Sequence, residues 1–181
     1  MPENASGEIG DRAGDGFGVD NSSEVCRCEG RIGRQNPGFF ENLERIVLAV
    51  HRDDSDGFYE FYRREETGAI FLNAWRDDLW IDLQTTYFDA HQGIFERLGL
   101  SHDRLDDRVA CRFTEAQARA FMLLHVFMHE LGHHHDSIHQ KHWGSSKGED
   151  YAEKFATSRF EQLFPRYVRV FGHPGRGQPQ R

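Results

Sequence analysis

In His129-Glu130-Leu131-Gly132-His133, three of the five residues are of the types that bind and use a metal ion. On an α-helix, positions four apart share a face about one turn from each other, so His129 and His133 can reach one ion. Glu130 follows His129 directly, points aside from the ion and can hold a water. Two imidazoles on Zn²⁺ beside a carboxylate that deprotonates an attacking water is the chemistry of an HExxH helix. A chain with 11 histidines can show this spacing by chance. The context argues otherwise: the segment continues the apolar run 120–128, and a buried helix does not carry two histidines and a glutamate without partners.

Two histidines do not complete a catalytic zinc site; a third protein ligand is needed, with the fourth position left for water. His139, six residues after His133, fits the metzincin spacing HExxHxxGxxH, with Asp136 at the glycine position. Asp tolerates the left-handed backbone needed there. That group also needs a methionine turn downstream of the helix, and the methionines here are Met1, Met122 and Met128.

The other candidate is Glu149, in Gly148-Glu-Asp-Tyr-Ala-Glu-Lys-Phe-Ala156. This stretch resembles the third-ligand helix of the gluzincins, whose pattern is Glu-x-x-Ala-Asp/Asn/Glu-x-Phe-Ala. The resemblance implies that Glu149 binds zinc and that Glu153 hydrogen-bonds a metal-bound histidine, a place where the family more often has Asp or Asn. Positions 149 and 153 share a helical face, and a carboxylate on an imidazole N–H fixes the ligating tautomer. The plain structural use of Glu149 is as part of a capping box with Ser146. Taken together, residues 114–164 are similar to compact zinc peptidases of the ImmA/IrrE type and, more loosely, to membrane-bound gluzincins. The chain shows neither the membrane helices nor a helix-turn-helix of those relatives.

The elements that must position these residues follow from pattern. Pro37 and the stripe Phe39, Leu43, Ile46, Val47 and Val50 suggest a first helix. Runs 58–63, 69–75 and 79–83, separated by turns, suggest an antiparallel meander. Within the last run, Leu/Ile/Leu alternate with Trp/Asp, giving one buried face. Residues 89–98 read as a short helix ending at Gly99, and 101–108 as a polar loop. Thr114-Glu-Ala-Gln117 has the capping-box form that opens a helix reaching about Asp136. Gly132 inside it costs about 1 kcal/mol against Ala, which asks for a packing or metal-approach reason. After a His- and Ser-rich loop, a last helix should stop before Pro165. The fold class expected is α+β: a small antiparallel sheet on a long HExxH helix, with the C-terminal helix supplying the third zinc ligand.

The chain has 181 residues and a mean hydropathy of −0.72, room for one domain with a moderate core. Much of its polarity lies at the ends, so 1–36 reads as a disordered acidic, Gly-rich leader, 37–172 as the zincin-like domain and 173–181 as a disordered tail. A net charge of −8 without a basic run argues against nucleic acid as a partner. No apolar run approaches the ~18 residues of a membrane span, and no signal peptide is recognisable. Cys26, Cys28 and Cys111 are an odd set, unsuited to a disulfide framework; a cytoplasmic location is the expectation. Cys26 and Cys28 read as reduced thiols, with metal binding or a redox role as the alternative.

The remaining polar residues near the motif have plain readings. His125, one turn before His129, is expected as a core or supporting histidine. His134, His135 and His142 are expected to be exposed, and Asp136 to orient a ligand or cap the helix. A transition-state donor would come from Tyr87, Tyr151, Tyr167 or His142. The functional expectation is a zinc-dependent endopeptidase acting on a protein or peptide substrate, with His129, His133 and Glu149 on Zn²⁺ and Glu130 as general base. The alternatives are a non-catalytic, zinc-stabilised interaction or regulatory module, which would have no use for Glu130, and a His-rich metal buffer, which would hold several ions. Nothing in the sequence sets the oligomeric state.

Overall fold

The computed structural model describes residues 37–49, 56–139 and 146–176; the leader with Cys26 and Cys28, His142 and the last five residues lie outside them. The architecture is mixed α+β, with two small sheets and a set of helices. The chain enters through a single 3₁₀ turn, Pro37–Phe40, then runs as β1 (Leu43–Ala49), β2 (Gly57–Tyr62) and β3 (Thr67–Asn73). β3 is central, antiparallel to β2 and parallel to β1.

The expected first helix is therefore a strand. A short apolar run fits either period, and Ile46-Val47-Leu48 has the β-branched, continuous character of a strand paired in parallel. Its register sets Ile46 opposite Ile70 and Val47 opposite Phe71.

β4 (Trp80–Gln84) does not extend the meander. It opens a second sheet, ordered β4-β6-β5, with β5 at Ser101–Arg104 and β6 at Arg108–Arg112. The polar loop expected over 101–108 is thus a hairpin. Its strand β5 is exposed throughout and carries no apolar alternation, while β6 buries Val109, Ala110 and Cys111 in succession. The alternation read in the 79–83 run holds: Ile81 and Leu83 turn inward, Trp80 and Asp82 outward.

Between β4 and β5 lie α1 (Thr85–Ala90) and α2 (Gln92–Leu98), the latter closed by Gly99 in the left-handed conformation at φ 68°. Next comes one continuous helical run: α3 (Glu115–Phe121), a π turn (Met122–Val126) and α4 (Phe127–His139). The capping box at its start is formed, since Thr114 accepts from the Gln117 amide at 3.2 Å and Gln117 accepts from the Thr114 amide at 2.8 Å. The Gln117 side chain also donates to the carbonyls of Leu98 and Gly99, tying this helix to the end of α2.

α5 (Ser146–Phe171) runs through Pro165 instead of stopping before it. Proline removes the bond to the carbonyl one turn back, but Phe160, Phe164 and Tyr167 are buried on both sides of it, and that packing carries the helix on. Beyond α5, residues expected in the tail fold back, with the Gly175 backbone against Gly99. The core joins Phe88, Phe95, Phe113 and Phe121 to Phe160 and Phe164. Each such side chain contributes about 1.5–3 kcal/mol on burial. Among the described residues, no helix is long and apolar enough to cross a membrane.

Candidate metal centre

The seam between α4 and α5 is where the predicted residues meet. A Cβ at Gly132 would stand 2.7 Å from Ala152 Cα and 3.2 Å from Phe155 Cβ. Glycine here lets the two backbones touch, which is the packing reason anticipated for it. Ala152 and Ala156 on the facing helix are fully buried. With the helices this close, the first turns of α5 lay their carboxylates over the histidines of α4.

Three donors converge. His129 Nε2 and His133 Nε2 are 3.1 Å apart, Glu149 Oε2 is 3.4 Å from the first, and Glu149 Oε1 is 3.4 Å from the second. Four ligands around a tetrahedral zinc, at about 2.0–2.1 Å from it, stand about 3.3–3.4 Å from one another. The residues present therefore fit such an ion. The imidazoles are about four-fifths buried, whereas the Glu149 side chain is 67% exposed, so the cluster faces solvent on the acid's side.

The second nitrogen of His129, Nδ1, lies 3.3 Å from Glu153 Oε2. An Nδ1–H donated to that carboxylate leaves Nε2 with its lone pair directed at the cluster. Burial lowers the His129 pKa, but Glu153, Glu130 and Glu149 outweigh it and leave the imidazole raised. Glu130 is buried on the same helix. Burial, with Glu149 adding and His129 opposing, pushes its carboxyl up to about 7, the range that suits a general base at neutral pH.

Glu153 has a further neighbour. Its Oε1 is 3.0 Å from His91 Nε2, and His91 in turn holds its Nδ1 2.8 Å from the Tyr87 carbonyl. The His91 ring meets the buried His125 ring edge-on at 4.8 Å. Burial holds His125 down to about 4, hence neutral at pH 7. Glu153 itself is pushed up by burial and pulled far below the ordinary carboxylate range by His129 and His91.

The other predicted residues separate clearly. His139 is exposed, with its ring on His135 at 4.4 Å, and has no place in the three-donor cluster. His134 was expected at the surface but is 1% exposed, held between the Tyr59 hydroxyl at 3.1 Å and the Glu41 carbonyl at 2.8 Å. It anchors α4 to the first sheet. His135 is half-buried and 2.7 Å from the Tyr151 hydroxyl, and Asp136 is buried. Tyr167 belongs to the core. Tyr87 stacks on His91 at 4.1 Å and also lines a cleft of ≈ 850 Å³ with Trp75, Trp80, Asp82 and Gln84. His91 had no signal in the sequence, because only the folded chain brings it to Glu153. Compared with known proteins, the chain matches no family profile, no curated protein and no solved structure.

Proposed function

We propose that this chain is a zinc-dependent metallopeptidase of the zincin type. The observation that carries the reading is the meeting of His129, His133 and Glu149 at tetrahedral ligand spacing, with Glu130 buried beside them. Bound there, Zn²⁺ would polarise a substrate carbonyl and bring the pKa of a water towards ~7. Glu130 takes the proton from the attacking water and later hands it to the leaving amine. Glu153 keeps His129 in the ligating tautomer. A scaffold role for the ion alone gives no use to a carboxylate buried at position 130.

The cleft is lined by none of His129, Glu130, His133 and Glu149, and it is tied to them only through Tyr87 and His91, but it runs along a strand that suits an extended peptide. β3 has a neighbour on each side, whereas among the described residues β4 is an edge strand of its sheet. An added strand can hydrogen-bond along such an edge, with alternate side chains entering pockets. Trp80, Asp82 and Gln84 are the outward residues there. Tyr87, shared between the cleft and His91, is the best placed of the tyrosines to touch substrate.

The test uses an unfolded protein as substrate and metal analysis in parallel. Glu130→Gln should retain the ion and lose hydrolysis by about 10²–10⁴-fold, while His133→Ala should lose both. A Glu130→Gln enzyme that cleaves at the wild-type rate overturns the reading.

A further inference from the structure

His91, His125 and Glu153 offer three ligand atoms within 4.8 Å of one another, a grouping separate from His129, His133 and Glu149. Two features show that protein contacts alone leave it incomplete. Among the described residues, His91 Nε2 and His125 Nδ1 are buried nitrogens without a hydrogen bond of good geometry, His91 Nε2 having only its ion pair with Glu153, on residues 6% and 3% exposed. Buried polar atoms are almost always satisfied, so an orphan pair points to a missing third body.

The geometry at His91 indicates what that body is. Its Nδ1 faces the Tyr87 carbonyl at 2.8 Å, an acceptor, so Nδ1 carries the hydrogen. In the neutral ring Nε2 is then a lone pair, 3.0 Å from a carboxylate oxygen of Glu153. Two acceptors at that distance need a positive charge between them. A proton on Nε2 makes this contact an ion pair, but one that misses hydrogen-bond geometry, and a metal ion can occupy the same place between the two atoms. An off-axis approach at about 3 Å is how two ligands of one metal ion stand to each other.

We propose that His91, His125 and Glu153 bind a second divalent cation of zinc-like preference. Two imidazoles and one carboxylate are the donor set of a borderline ion. His91 and His125 are buried, and Glu153, 39% exposed, gives the way in. Its role is to hold Glu153. The carboxylate spans from this ion through Oε1 to His129 Nδ1 through Oε2. The proposal does not depend on the peptidase reading, because its donors are distinct.

The experiment loads the full-length protein with Zn²⁺, removes excess by dialysis and measures metal per chain, with an anomalous map at the zinc edge of the wild-type crystal. About two ions per chain are expected, with two peaks, one at each trio. His91→Phe, which keeps a ring on Tyr87, should lose one of them, and His133→Ala should lose the other. A single peak among His129, His133 and Glu149 overturns the second site and leaves the peptidase reading standing. A single peak among His91, His125 and Glu153 does the reverse. Surplus zinc that His91→Phe does not reduce belongs to other histidines and also overturns the proposal.

Discussion

Cys111 illustrates how burial alone sets reactivity at the scale of one residue. It is fully buried in β6, and burial, with Asp82 adding, pushes its thiol up to about 11. Only the thiolate is nucleophilic. Iodoacetamide at pH 8 should therefore modify Cys111 in the native protein at least about a hundredfold more slowly than in urea. Peptide-resolved mass spectrometry checks this, and equal rates would show that the strand opens. The histidines show how far single residues were legible. His129 and His133 declare themselves because their partnership is written into a four-residue spacing. Glu149 is marked by the pattern around it, and the fold sets it, and not His139, beside His129 and His133. His134 looked like the surface neighbour of His133; its burial comes from Tyr59 and Glu41 on distant segments. His91 stayed invisible for the same reason.

Among the elements, the α4–α5 seam makes the most exacting demand on sequence. Gly132→Ala should gain about 1 kcal/mol of helix propensity, yet its Cβ would meet Ala152 backbone, which cannot yield. Overpacking of this kind costs about 1–3 kcal/mol, so urea unfolding should show net destabilisation and, on the proposed zinc reading, weakened metal binding. Gly93→Ala in α2 is the control, since its Cβ meets nothing within 4 Å; it should stabilise by about 0.5–1 kcal/mol. Helices with caps were well marked: Thr114 with Gln117, and Gly99 at the end of α2, fall where their chemistry put them. Strands were harder. β1 has an apolar run that fits both periods, and β5 has no apolar residue at all, so only pairing to β3 and β6 defines them. The π turn had no signal either. Such turns are frequent at functional sites, and this one sits directly before the HExxH segment with His125 inside it.

At the scale of the molecule, the tyrosines link burial to alkaline stability. Tyr59 is pushed up to about 12 by burial, with a hydrogen bond to Ser137 opposing, and Tyr87, Tyr151 and Tyr167 are raised in the same direction. A raised pKa means that the folded state holds its proton while the unfolded state has begun to lose it. Their contribution is complete below about pH 10 and is lost as pH climbs towards 12. Urea midpoints measured from pH 9 to 11.5 should fall, and Tyr59→Phe should flatten the fall. A constant midpoint would mean that these hydroxyls titrate as if free. The class of fold was readable from the alternation of helical and strand-like patterns; the division into two sheets was not, because it depends on β4 choosing β6 over its sequence neighbour β3.

The lopsided shielding of the three-donor cluster also bears on kinetics. With the carboxylate outermost and the two rings behind it, departure of the zinc ion proposed there would begin by swinging one side chain outward, leaving a half-released species open to attack. A small competing chelator would then seize the cation before it is free, so release should quicken in proportion to chelator concentration rather than plateau at a spontaneous rate. Stopped-flow mixing of the zinc-loaded protein with a chromogenic chelator reads that dependence directly.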